Sequence, residues 1–365
     1  MNRRWVHGAG RWVGSDVNGP PSASARRLPA VIVFGLAGCA GPQSALAPAG
    51  RAAENIATLF WWMTGFGIFI WIAVILLAVW AVRISQARRT GRLDSARAVD
   101  DDRLPSERRR SNLLIIGGGA IVPTVLLAAL LVYGLAPIPA LLAPAPAGSL
   151  QIAVSGEQWW WRLRYEKSQG ENFVSANEIR LPLGEPVQFR LESPDVIHSF
   201  WIPSLGGKID MIPGRVTRLA LTPTKAGLFR GACAEYCGTA HALMSFDVVV
   251  LPKEEFARWL AHQQTPALPP AEPLAARGQE LFLATGCGAC HTIRGTPANG
   301  VVGPDLTHVG GRLSIGAGSL PNNVENLLRW IARTEHIKPG VLMPHFGMLP
   351  QDELQALAVY LKGLQ

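Results

Sequence analysis

Four of the chain's five cysteines fall in two close pairs in its C-terminal half, Cys233/Cys237 and Cys287/Cys290. The first pair belongs to the run Cys233-Ala-Glu-Tyr-Cys237-Gly-Thr-Ala-His241-Ala-Leu-Met244, with two thiols, an imidazole and a thioether within twelve residues. A further imidazole, His198, lies 35 residues before Cys233 in Asp195-Val-Ile-His198-Ser-Phe-Trp201. Soft sulfur ligands favour Cu(I), and imidazole suits both copper states. Zinc accepts Cys and His, but a thioether argues against it. One copper would be overcrowded by two Cys, two His and one Met. Two coppers bridged by both thiolates, with one His on each, match the donor count. The competing reading of the two thiols is an extracytoplasmic disulfide.

The second pair is Cys287-Gly-Ala-Cys290-His291. C-x-x-C-H is the attachment motif of c-type heme: two thiols add to the vinyl groups and the adjacent His lies under the iron. A second axial ligand must come from farther along. Met343-Pro344 follows His291 by 52 residues, with His345 and Met348 as competitors. Between the membrane-like and copper-like segments stands Gly156-Glu-Gln-Trp159-Trp160-Trp161. In a strand, Trp159 and Trp161 face one side and Trp160 the other. Three large aromatics cannot share one core face, so at least one meets an edge or interface.

These groups need elements to position them. Short runs with strand character span 150–154, 159–165, 178–181, 187–192, 218–221 and 246–250, separated by Pro and Gly. That pattern suggests a β-sandwich or barrel over 149–252. A short helix is expected at 253–262 and a linker at 262–273. From residue 274 the period is helical, with helices at 274–285, 324–333 and 351–364, so 274–365 reads as a small all-α domain. Residues 136–149 read as an extended Pro/Ala linker.

Upstream, the chain is apolar. Residues 59–82 and 113–135 lack charge and are each long enough to cross a ~30 Å hydrocarbon core. They predict a two-helix transmembrane hairpin over 55–136. Trp61, Trp62 and Trp80 stand near the ends of the first span, where such rings favour the headgroups. Pro123 and Gly117–Gly119 are tolerated in a membrane helix. The loop over 83–112 holds nine Arg, which places it in the cytoplasm and both termini outside. At the N-terminus, Arg26 and Arg27 precede an apolar run ending in Leu36-Ala37-Gly38-Cys39. This is a signal-peptide layout over 1–38; the run's last four residues, Leu36–Cys39, resemble a bacterial lipoprotein cleavage box, which implies Cys39 as the lipidated new N-terminus. The formal charge of +8 is confined to 1–38 and 83–112, while 151–365 holds 19 basic and 19 acidic residues. A neutral folded part argues against nucleic-acid binding.

Two resemblances sharpen the reading. The segment 233–244 resembles the binuclear copper A site of cytochrome c oxidase subunit II, whose pattern is C-x-E-x-C-x-x-x-H-x-x-M, and the likeness extends over 55–252. It implies a cupredoxin-like β-barrel with Cys233 and Cys237 bridging two coppers. His198 and His241 become terminal ligands, and Met244 and the Glu235 carbonyl weak axial ones. The Glu235 side chain becomes a candidate ligand of a magnesium shared with subunit I. The Trp run is similar to the family's G-H-Q-W-Y-W, whose first Trp admits electrons, corresponding to Trp159. This chain has Glu157 and Trp160 where His and Tyr are usual.

Residues 274–365 resemble class I cytochrome c. That implies thioethers at Cys287 and Cys290 and axial ligands His291 and Met343. Gly303-Pro304-Asp-Leu306 resembles the loop whose carbonyl orients the proximal His, and Gly278, Phe282 and Tyr360 match the crossing of first and last helices. Together the resemblances imply subunit II of a caa-type oxidase in a bacterial inner membrane, a multidomain membrane protein. Its partners would be subunits I and III, the lipid bilayer and a donor cytochrome c. Electrons would go to the fused heme c, then copper A, then subunit I, which reduces oxygen to water and pumps protons. A periplasmic copper-delivery protein is the alternative, but such a protein needs no heme. Quinol oxidase subunits lack the copper ligands.

Overall fold

A computed structural model describes residues 41–92, 105–166 and 172–365. The expected signal peptide and Cys39 lie outside the described residues, as do residues 93–104 of the basic loop. Helix α1 (Arg51–Arg92) carries the first apolar span. The second begins with α2 (Pro105–Asn112), continues through Leu113–Ile121 and ends in α3 (Val122–Leu135). Over Leu113–Ile121 the winding widens to i→i+5 bonds, and Val122 N–H donates to the Gly117 carbonyl. Such winding is uncommon in helices; here it covers Gly117–Gly119 just before Pro123, which has no N–H to give. Both helices are long and apolar enough to cross a membrane. The 136–149 segment is not uniformly extended, since Ile138–Leu142 forms a short helix, α4.

The β domain has ten strands in two five-stranded sheets. These are β1 (Leu150–Glu157), β2 (Trp160–Glu166), β3 (Phe173–Ala176), β4 (Glu178–Pro182) and β5 (Val187–Glu192), then β6 (His198–Trp201), β7 (Ile209–Met211), β8 (Thr217–Leu221), β9 (Gly227–Cys233) and β10 (Ser245–Leu251). One sheet runs β3-β2-β1-β5-β8 and the other β4-β10-β9-β6-β7. The β1/β5 and β4/β10 pairs are parallel and the rest antiparallel. This is the cupredoxin-like sandwich that the six sequence-legible strands anticipate; β3, β6, β7 and β9 are additional. Alternation on β1, β2 and β10 sends every second side chain inward. Trp161, Phe200 and Phe246 meet edge-to-face and stacked at 5.0–5.8 Å between the sheets. Fully burying one such aromatic is worth about 1.5–3 kcal/mol.

The chain leading into α1 is tied to this domain. Ala49 N–H donates to Ser204 O at 2.7 Å and Arg51 N–H to Thr222 O at 3.0 Å. Gly50 lies so close that a Cβ there would be 2.4 Å from the Leu205 carbonyl oxygen. Helix α5 (Lys253–Gln263) follows β10. The linker after it is not a loose tether: Ala267 N–H donates to Arg294 O at 2.9 Å, and Arg294 Nη2 to Gln263 O at 2.6 Å.

The helical domain consists of α6 (Pro273–Ala284), α7 (Val324–Ala332), α8 (Thr334–Ile337) and α9 (Gln351–Gly363), with a two-residue hairpin β11 (Ser314–Ile315) and β12 (Leu320–Pro321). Helices α6 and α9 cross at Gly278, where a Cβ would sit 2.1 Å from Ala356 O and 2.7 Å from Tyr360 Cβ. Phe282 and Tyr360 meet edge-on at 6.0 Å beside it. Helix α7 starts with a side-chain cap: Asn323 Oδ1 accepts from Asn326 N–H at 2.8 Å.

Candidate functional site

The copper-like donors converge at one end of the sandwich because sheet register puts them there. His198 opens β6, and Cys233 closes β9 opposite Phe200. The loop to β10 then supplies Cys237, His241 and Met244. The distances are Cys233 Sγ–Cys237 Sγ 3.8 Å, Cys233 Sγ–His198 Nδ1 3.8 Å, Cys237 Sγ–His241 Nδ1 3.5 Å and Cys237 Sγ–Met244 Sδ 3.8 Å. Cys233 Sγ also lies 3.2 Å from the Glu235 carbonyl oxygen. A disulfide needs about 2.05 Å between sulfurs, so the two thiols are separate. Two sulfurs, each with its own imidazole, form a donor set that fits a thiolate-bridged copper pair. The Glu235 carboxylate points elsewhere, 4.0 Å from the Lys208 ammonium.

The electrostatics favour thiolate here. The Cys233 thiol is held well below the usual thiol range, first by its contact with Cys237, then by His198 and the Glu235 backbone, against the opposing effect of burial. The shared proton stays on Cys237, whose pKa moves up.

Asp195 fixes the His198 ring. Its Oδ1 is 2.9 Å from His198 Nε2, which leaves Nδ1 facing Cys233. Burial alone would raise the Asp195 carboxyl, but N–H donors from Val196 and Gln158, together with His198, hold it below the ordinary carboxylate range. Sequence alone does not give Asp195 this role; its position three residues before a candidate ligand is the only local signal.

Trp159 is 8% exposed and sits in the turn just before β2 rather than inside a strand. Its Nε1–H donates to the Cys237 carbonyl at 2.9 Å, and Gln158 Nε2 donates to the same oxygen at 2.7 Å. Trp161 enters the core and Trp160 faces the helical domain, as a three-Trp run requires. The helical domain covers Trp159. A Cβ on Gly340 would stand 3.0 Å from the Trp159 ring.

The second centre is a cavity of about 760 Å³ between the two domains, within the usual range of about 300–1,000 Å³ for cofactor pockets. Cys287, Cys290, His291 and Met343 line it from the helical side, Trp159 and Trp160 from the other. His291 Nδ1 is 2.8 Å from Pro304 O, so that nitrogen donates and Nε2 is free to ligate. Burial pushes the His291 pKa down, outweighing the Pro304 carbonyl, and keeps the ring neutral. Gly303 makes room: a Cβ there would be 2.5 Å from the ring's Cε1. Met343 lines this wall, whereas Met348 is 70% exposed and His345 is exposed. The chemistry of the donor set and the neutral, oriented imidazole fit a covalently held heme.

The domains are joined by direct bonds. Leu313 N–H donates to Glu178 Oε2 at 2.7 Å, Ser245 N–H to Ala317 O at 3.1 Å and Arg230 Nη2 to Gly318 O at 2.9 Å. Arg180 and Arg162 reach Gly311 O and Val302 O, each at 3.3 Å. Ser314 Oγ–H donates to Asp247.

Comparison with known proteins agrees with this geometry. Residues 171–251 match the family model of the periplasmic domain of cytochrome c oxidase subunit II, and residues 275–365 match that of cytochrome c. Cytochrome c oxidase subunit 2 of Alkalihalophilus pseudofirmus is 39% identical over 217 residues, covering 60% of this chain and 62% of that protein. The Bacillus subtilis protein of the same name is 34% identical over 227 residues, covering 60% and 63%. The match thus spans a little under two thirds of these relatives' length. The solved periplasmic domain of subunit II of cytochrome oxidase from Bradyrhizobium japonicum is 32% identical. It covers 33% of this chain and 96% of that one, with a TM-score of 0.31. Residues 171–251 thus carry a domain of the cytochrome c oxidase subunit II type and residues 275–365 a cytochrome c domain, the two joined in one polypeptide.

Proposed function

We propose that this chain is the electron-transfer subunit of a respiratory cytochrome c oxidase. Cys233, Cys237, His198 and His241 would hold two coppers, with Met244 and the Glu235 carbonyl as weak axial donors. Cys287 and Cys290 would form the thioethers of one heme c, with His291 and Met343 on its iron. When bound, these groups supply one-electron redox chemistry, carrying charge from a donor cytochrome c toward subunit I, where oxygen is reduced to water. The chain's residues orient and shield that chemistry. Asp195 sets the His198 tautomer, Pro304 sets that of His291, and the buried sulfurs exclude water. Subunits I and III, the bacterial inner membrane crossed twice, and a lipid at Cys39 complete the proposal. The Glu235 carboxylate is the candidate ligand for a magnesium shared with subunit I.

The observation that carries this reading is the shared wall: the heme cavity is lined by Trp159, whose indole donates to the carbonyl of Cys237. A copper-delivery protein has no use for that arrangement. The test is purification of the full chain from copper-replete membranes, followed by metal analysis and flash reduction. Two coppers, one heme and a first-order, concentration-independent transfer between them are expected. A colourless β domain holding one zinc, or transfer whose rate scales with protein concentration, would refute it.

A further inference from the structure

Lys338 is 1% exposed, an unusual place for an ammonium. It stands at the end of α8 in the helical domain, yet its Nζ donates across the boundary to Trp159 O at 2.6 Å and Leu243 O at 2.8 Å. A third bond, 2.9 Å to Gly316 O, stays within its own domain. Burial lowers the Lys338 pKa to about 7, opposed by Cys237; in the protonated form three N–H groups meet three carbonyls, which uses every donor of the ammonium. Leu243 lies between His241 and Met244. Trp159 is the residue whose indole donates to Cys237 O.

The residues just after Lys338 give this placement its consequence. Gly340 adopts φ +83°, a left-handed conformation suited to glycine. It lies against Trp159 so closely that a Cβ would be 3.0 Å from the ring. Three residues later comes Met343, on the cavity wall, its carbonyl accepting from Thr334 Oγ1 at 3.2 Å. Lys338–Met343 is thus one short strap running from the copper-side backbone, across Trp159, to the heme cavity. The other interdomain bonds lie on β2, β4, β9 and β10.

We propose that Lys338 is a positioning residue that fixes this strap on Trp159, so that the two redox sites keep one separation instead of docking and undocking. This rests on the relay reading above and adds to it the side chain responsible for alignment. Removing the ammonium would take this donor from the Trp159 and Leu243 carbonyls across the boundary, while Gly316 O keeps Ser319 Oγ–H at 2.7 Å; leaving such acceptors unmatched is costly enough to open the contact.

The test uses the full chain with both centres loaded. Lys338→Met keeps the side-chain length and removes the three donors. Lys362→Met is the control, because Lys362 Nζ bonds Gly310 O at 2.6 Å entirely inside the helical domain. Two quantities are followed: exchange of the Leu313 and Ser245 amides, which are protected only while the domains touch, and the flash-initiated rate between the sites. In Lys338→Met we expect amide exchange at least tenfold faster, equivalent to about 1.4 kcal/mol, and a slower transfer rate that falls as sucrose raises viscosity. Lys362→Met should keep wild-type values of both. A wild-type, viscosity-independent rate in Lys338→Met overturns the proposal, whatever the exchange shows. Should Lys338→Met fail to retain a centre, the wild-type chain decides: a rate independent of viscosity supports a fixed contact, and one inversely proportional to viscosity overturns it. Absence of any transfer in the wild type would instead sink the relay reading itself.

Discussion

Replacing Gly303 with Ala tests the placement of the proximal imidazole most directly. The new Cβ would lie 2.5 Å from His291 Cε1, 2.8 Å from Nδ1 and 3.1 Å from Nε2. Ordinary carbon contacts are about 3.5–4.0 Å, so the ring must retreat by about 1 Å. It cannot do so and keep its 2.8 Å bond to Pro304 O. Losing that bond costs about 0.5–1.5 kcal/mol, and overpacking adds about 1–3 kcal/mol. For a domain of this size each kcal/mol moves the melting midpoint by about 4–8 °C, so a fall between about 6 and 36 °C is expected. The assay is thermal melting followed at the heme absorbance, with a redox titration of the same sample. The potential should shift as well, because the imidazole loses the partner that fixes its tautomer. Gly363→Ala is the control: nothing stands within 4 Å of a Cβ there, and a change within about 0.5 kcal/mol is expected. A Gly303→Ala chain with wild-type midpoint and potential would show that Gly303 and Pro304 do not clamp the ring.

Asp195→Ala should weaken copper retention about 10–100-fold, the usual effect of losing a partner that orients a ligand; competition with a chelator measures it, and wild-type retention would count against the His198–Asp195 contact. Gly278→Ala should destabilise the helical domain by about 1–3 kcal/mol, read by melting, since its Cβ would strike the Ala356 carbonyl. His308 is buried with Nδ1 and Nε2 at 2.6 Å and 3.0 Å from Gln365 O and Thr265 O. Burial still drives its pKa below 6.5, aided by Arg294 and His262 and opposed by the two carbonyls. The unfolded chain therefore binds the proton more readily. Stability contributed by neutral His308 is present above about pH 6.5, falls as the pH drops toward the folded value and then levels off. Melting midpoints from about pH 7.5 to 5 should decline less in His308→Gln than in the wild type, and equal slopes would contradict this. Met343→Ala should abolish the weak iron–sulfur absorption band while Met348→Ala leaves it, and the reverse would reassign the ligand.

Much of the site was legible because its chemistry is written locally. Cys233, Glu235, Cys237, His241 and Met244 fall within one loop, and Cys287, Cys290 and His291 within one turn, so residue type and spacing alone limit what they bind. The apolar spans and the α6, α7 and α9 periodicities are equally local. Strand β9 was illegible because Gly227–Cys233 lacks a clean alternation, and β6 and β7 because three or four residues carry too little pattern. Ile138–Leu142 coils where its prolines suggested extension.

What needed the third dimension was everything that depends on two distant segments meeting. Sequence joins the domains only by a linker, which flexible-chain scaling treats as about 20 Å of freedom. The fold instead binds that linker to Arg294 and seats the helical domain on β2, β4, β9 and β10, covering Trp159. No local pattern marks Lys338 as more than a surface cation, because its role comes from carbonyls 179 and 95 residues away in the chain. Residue types and their spacing determined which groups the chain can hold. The packing of two domains into one unit determined how those groups face each other, since contacts of that sequence separation exist only after the backbone has closed on itself.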